Sequence, residues 1–186
     1  LALFSKIPFG SIRMHHDIEF PYFGDRKTPD RGVLEVTFDS NGTKWKLLNL
    51  HLKSKWTERK DDPDASIRRE REARAIRDYL RKSNPPESNP RYLVVGDFND
   101  HRNSAPMRRF LQVNDTVLTS MVPCEDSRGH RWTHHWSKAD SYSRFDYILA
   151  TPPMLKKMVI DSAKIVDGPN SVLASDHRMI FADFQF

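Results

Sequence analysis

The stretch "YLVVGDFND", residues 92–100, decides how this chain is read. Tyr92 to Val95 form an apolar run of strand length. The chain then turns at Gly96 and presents Asp97, Asn99 and Asp100 within four positions. Asp is a common turn former, so the stretch alone fits a polar turn after a strand. It also fits a rigid platform that holds carboxylates and an amide for chemistry.

Working outward, the chain alternates strand-like and helix-like runs. "GVLEVTF" (32–38) and "KWKLLNLHL" (44–52) flank Asn41-Gly42, a strong short hairpin signal. "DDPDASIRREREARAIRDYLRK" follows, with Asp62 expected as N-cap and Pro63 at the first helical position. Ala73, Ile76 and Leu80 fall on one helical face, and the arginines are expected to point elsewhere. "SNPPESNP" (83–90) ends that helix in a loop. After 92–95 come a short helix in "SAPMRRFLQV", a mostly loop stretch "TSMVPCEDSRGHR", and strands in "RWTHHW" (131–136) and "RFDYILA" (144–150). The tail "HRMIFADFQF" (177–186) predicts a strand with Ile180, Ala182, Phe184 and Phe186 on one face. Strand pairs separated by helices predict an α/β layered sandwich with mixed or antiparallel sheets.

The 186 residues suffice for one ordinary domain with a core. Hydrophobic residues make up 38% and charged residues 30%, a globular balance. No apolar run approaches the roughly 20 residues of a membrane helix. The lone Cys124 excludes an internal disulfide and a Cys-based zinc site. "LALFSKIPF" has neither a basic n-region nor a small-residue cleavage site, and it reads as a strand under way. The chain is therefore expected to begin inside a longer protein, and localisation is left open. The formal net charge is +5, and Lys53 to Lys82 holds eleven Lys or Arg against seven Asp or Glu. That window is either a polyanion-attracting patch or a helix face laced with ion pairs.

Polar residues adjoin several apolar runs. They are Asn49 and His51 in "LLNLHL", Asp97 and Asn99 in "GDFND", Asp146 in "RFDYILA", and Asp176-His177 in "SVLASDHRMI". Together they supply carboxylates for a hard divalent cation, two histidines for proton transfer and amides for orientation. Magnesium prefers one or two carboxylates with phosphate oxygens and water. The set suits metal-assisted phosphoester hydrolysis better than a His-rich zinc site. His134 and His135 in "WTHHW" point to opposite faces of a strand, which argues for structure or a substrate wall rather than one ion. Trp132 and Trp136 are expected in the core or against substrate, and His15-His16 carry no assignment.

"NLHLKSK" (49–55), "GDFND" (96–100), "RFDYIL" (144–149) and "SDHRMI" (175–180) resemble, in that order, the signature of the endonuclease/exonuclease/phosphatase family. "LFSKIPF" (3–9) and "DRGVLEVTF" (30–38) resemble two of its earlier strands. The resemblance implies a four-layer α/β sandwich whose active site lies at one end of two packed sheets. It implies catalytic roles for His51, Asp97, Asn99, Asp146 and His177, with Asp146 orienting His177. It implies metal contacts from Asp97 and Asp176 to magnesium or manganese. Arg31, Asn49 and Asn99 are the implied substrate contacts, and Asp100 is expected no nearer than behind the residues that touch substrate. The family's first-strand Asn and metal-binding Glu have no counterpart here, since Glu19 and Glu35 stand in the wrong order. The chain is therefore expected to form a single domain over 1–186, the C-terminal two-thirds of the family fold, with early strands and a helix absent. Magnesium binding is expected to be weak.

The expected activity is metal-dependent phosphodiester hydrolysis, most simply of a nucleic acid by a monomer. A phosphatase or lipid phosphodiesterase is the second expectation. An inactive truncated domain acting as a binding module is the third.

Overall fold

A computed structural model describes residues 1–168 and 170–186. Its centre is a six-stranded mixed sheet. In chain order the strands are β1 (Ile12–His15), β2 (Val33–Ser40), β3 (Thr43–His51), β4 (Tyr92–Asp97), β5 (Ser120–Met121) and β6 (Asp146–Ala150). Across the sheet they run β1-β2-β3-β4-β6-β5. The β2–β3 hairpin closes through Asn41 and Gly42, both at positive φ, with Ser40 opposite Thr43. A two-residue turn of this kind matches strand twist, and Asn-Gly reaches it at little cost.

β3 and β4 are parallel. A parallel pair needs a crossover, and helix α1 (Ser66–Ser83) provides it. Ala73, Ile76 and Leu80 are buried against Leu48, Leu50, Val94 and Leu149 of the sheet, as the helical spacing predicts. Helix α2 (Ala105–Leu111), capped by Ser104, adds Met107 and Phe110 to the same core.

Two expectations about α1 are corrected. The helix starts at Ser66, not Pro63, and its N-cap residue is Ala65. Asp62 still caps it from a preceding turn, because its carboxylate accepts the backbone N–H of Ile67 and of Arg68, both at 3.0 Å. The first-turn donors are thus satisfied by a side chain outside the helix. The arginines do not all face solvent either. Arg69 is 1% exposed, donating to Asp100 Oδ2 at 3.0 Å and to the carbonyls of Lys53 and Asp64. Arg77 is also buried.

The other sheet face packs on the C-terminal region. Leu93, Ile148 and Ala150 meet Ala163, Ile165, Ile180, Ala182 and Phe184. The expected apolar face of the tail is present, although regular pairing is confined to Ile180–Phe181 with Lys164–Ile165. Trp45 stacks between Phe38 and Phe186, fixing the last residue on this face. Residues 3–9, expected as a strand, form none; β1 begins at Ile12. Among the described residues no helix is long and apolar enough to cross a membrane.

Removing the cation of the buried Arg69–Asp100 pair leaves an uncompensated carboxylate. Arg69→Ala is expected to cost about 3–5 kcal/mol in urea denaturation. A loss under about 1 kcal/mol would show that Asp100 is adequately solvated.

Candidate active site

The register of three strands builds the site. His51 stands opposite Asp97 across the parallel β3/β4 pair. Asp146 stands opposite Asp97 across the antiparallel β4/β6 pair. Paired residues project to the same face, so all three side chains leave the sheet together at one end. Gly96 permits this approach. It sits at φ +132°, and a Cβ there would lie 1.9 Å from the Leu50 carbonyl oxygen.

The residues after Gly96 divide their labour. Phe98 is fully buried between Phe110 and Tyr147, so the motif is anchored in the helix-side core. Asn99 adopts φ +51°, a region Asn tolerates better than most residues. Its backbone N–H donates to Asp97 Oδ1 at 2.7 Å, and its amide nitrogen donates to Asp97 Oδ2 at 3.2 Å and Leu52 O at 3.0 Å. Asn99 thereby fixes the Asp97 carboxylate.

His177 arrives from the C-terminal segment. Its Nδ1 is 2.8 Å from Asp146 Oδ2, and its Nε2 is 3.9 Å from Asp97 Oδ2. His51 Nε2 lies 3.3 Å from the same Asp97 oxygen. Asp97 is therefore flanked by both histidines. Arg31 is exposed in the turn before β2, and its charge is felt at His51 and Asp97. Asn49 shares the face of His51, but its amide nitrogen donates to the Ala2 carbonyl. Asp176 stands apart from the cluster. Its side chain is 70% exposed and 3.8 Å from His134 Nε2. His134 and His177 form a β-bridge, and Asp176 lies in the bend just before it.

One neighbour of the cluster was expected only as structure or a substrate wall. His134 packs on His177 with ring centroids 4.7 Å apart and stacks on Phe145. His135 faces oppositely and stacks on Tyr142, as alternation predicts. The usable signal was "WTHHW" itself, once its strand was known to bridge the Asp176-His177 segment.

Burial and charge split the titrations. Burial pushes His51 down to about 4, helped by the charges of Arg31 and His177. The hydrogen bond to Asp146 raises His177. Burial, then the like charge of Asp146, pushes Asp97 up to about 6. Burial thus disfavours the charged form of His51 while Asp146 favours that of His177, and such a divergence is what acid–base work needs. Asp97, Asp146 and His177 each offer a ligand atom within 4.8 Å of the others. Two hard carboxylates whose mutual repulsion raises Asp97 suit a divalent cation.

A model of the endonuclease/exonuclease/phosphatase family matches residues 1–177. The chain belongs to that family. Its members are hydrolases acting on phosphoesters. None of the curated proteins matches the chain. The human Nocturnin catalytic domain with bound sulfate is similar at TM-score 0.66 and 15% identity, over 96% of this chain and 60% of that one. A family protein from Leptotrichia buccalis gives TM-score 0.62 and 17% identity, over 97% and 62%. Truncated Caenorhabditis elegans TDP2 gives 0.61 and 17%, over 98% and 68%. This endonuclease/exonuclease/phosphatase chain thus spans about 60% of the length of the first two, and the likeness supports the α/β fold of the family.

Asp146→Asn replaces the carboxylate that raises His177. The His177 titration, followed by NMR, is expected to fall to or below the ordinary value near 6.5. An unchanged titration would remove Asp146 as its cause. Adding magnesium is expected to raise Tm by less than about 3 °C, because three donors with both carboxylates already hydrogen-bonded give weak affinity. A large rise would mean a more complete ligand set.

Proposed function

We propose that this site hydrolyses a phosphodiester with magnesium or manganese, acting as a nuclease on a nucleic acid. The observation that carries the reading is the Asp146–His177 pair facing an Asp97 carboxylate, which His51 flanks on the other side. A divalent cation held by Asp97 and Asp146 would neutralise charge on the non-bridging phosphate oxygens.

The chain's own residues do the rest. Asp146 accepts from His177 Nδ1 and so leaves the Nε2 proton available toward the leaving oxygen. His51, neutral because it is buried, is ready to take a proton from an incoming water. Asn99 holds Asp97 in one orientation through two donated hydrogen bonds. The charge of Arg31 is felt at His51, and Lys53 and Lys55 follow His51 along the chain; the Lys55 ammonium lies 5.1 Å from the ring centre of Phe145, the neighbour of Asp146. A cationic rim favours a polyanionic substrate.

Leu173 and Met179, exposed beside Asp176-His177, favour a second reading, a lipid phosphodiesterase. Plasmid nicking and bis-(nitrophenyl) phosphate turnover with magnesium or manganese test the first. His177→Ala is expected to lower both by about 10²–10⁴-fold. Equal activity in both proteins would sink the site assignment. Turnover of a choline phospholipid without plasmid nicking would favour the second reading.

A further inference from the structure

A cavity of about 410 Å³ is lined by segments that adjoin the catalytic cluster along the chain. Arg102, Arg131 and Arg144 line it, with Trp132, Met121 and Pro123, and no carboxylate is among its lining residues. This volume is within the range of small-molecule sites. Arg144 is held in place, donating to the carbonyls of Cys124 and Val122, yet its buried Nε has no partner among the described residues. Arg102 and Arg131 are exposed. Arg131 faces Glu125 at 3.3 Å, an exposed pair that is weak in water and readily exchanged.

The cavity is tied to the catalytic cluster by covalent proximity. Arg102 follows the Asp97–Asp100 segment. Arg144 precedes Asp146 by two residues, and Trp132 precedes His134 by two. The segments that carry Arg102, Arg131–Trp132 and Arg144–Tyr147 therefore each adjoin or include a residue of the cluster, and Met121–Pro123 closes the cavity from the neighbouring edge strand. Tyr147 locks two of these segments together, since its hydroxyl lies 2.8 Å from Arg144 O and 3.2 Å from Asp100 O. Guanidinium groups bind phosphate through paired N–H donors, and apolar and aromatic surface suits the flat face of a base.

We propose that this cavity is a nucleotide subsite. Arg102 and Arg131 hold a phosphate neighbouring the scissile one, and the attached base lies over Met121, Pro123 and Trp132. The proposal rests on the reading of the site as a nuclease, and it names residues that select the substrate rather than perform the chemistry.

Binding without metal separates this subsite from hydrolysis. Calorimetric titration of the 186-residue chain with adenosine 5′-monophosphate in EDTA is the test. The expected result is binding that is at least about tenfold weaker in the double variant Arg102→Ala/Arg131→Ala and unchanged in His177→Ala. Adenosine and inorganic phosphate alone are expected to bind more weakly than the nucleotide. Absence of binding, equal affinity in the double variant, or loss in His177→Ala would overturn the proposal. Choline phosphate binding as tightly as the nucleotide would also overturn it, by assigning the cavity to a lipid headgroup. A failure of plasmid nicking, by contrast, bears on the hydrolase reading and leaves this binding result standing.

Discussion

The site depends on how closely two backbones approach. At Gly96 the β4 backbone comes so near the Leu50 carbonyl that no side chain fits between them. That proximity keeps β3 and β4 in register up to their ends, where His51 and Asp97 emerge side by side. The helix-side core enforces it from beneath, because Leu48, Leu50, Val94 and Phe98 share one packed cluster. A shift of one residue would turn every side chain of a strand to the opposite face and scatter the cluster.

Placement then sets the chemistry. Asp97 and Asp146 face each other, and only Asp146 has the imidazole of His177 at hydrogen-bonding distance. Burial and the like charge of Asp146 raise the proton affinity of Asp97, against the hydrogen bond donated by the Asn99 N–H. The same burial that keeps His51 uncharged thus makes Asp97 a reluctant anion, and a cation would relieve it. His134 closes the group from the ribbon formed by His134–Trp136 and Ser141–Ser143.

Much of this was legible in the chain. The Asn41-Gly42 turn, the apolar face of α1 and strands over 92–95 and 144–150 follow from local pattern, and the structure has them, the two strands as Tyr92–Asp97 and Asp146–Ala150. What pattern could not show was partnership. Arg69 reads as one basic residue among many, yet Asp100, thirty-one positions away, draws it into the interior. Asp62 reads as an N-cap at short range, but it reaches past a turn to the donors of Ile67 and Arg68. His134 looks like a strand histidine until its bridge to His177 is seen. Asp176 lies at the exposed edge of the group, near His134.

The Asp146–His177 contact spans thirty-one positions, and the parallel pairing of His51 with Asp97 spans the whole crossover helix. No two facing members of the site belong to one hairpin or one helix turn, apart from Asp97 and Asn99. The β2–β3 hairpin and α1 can form early from local contacts, but they bring His51 no partner. The constellation is a product of long loop closures, whose entropic cost precedes any reward. A refolding chain is therefore expected to regain helix and hairpin before it regains the cluster, so the site reports completion of the fold more faithfully than secondary structure does.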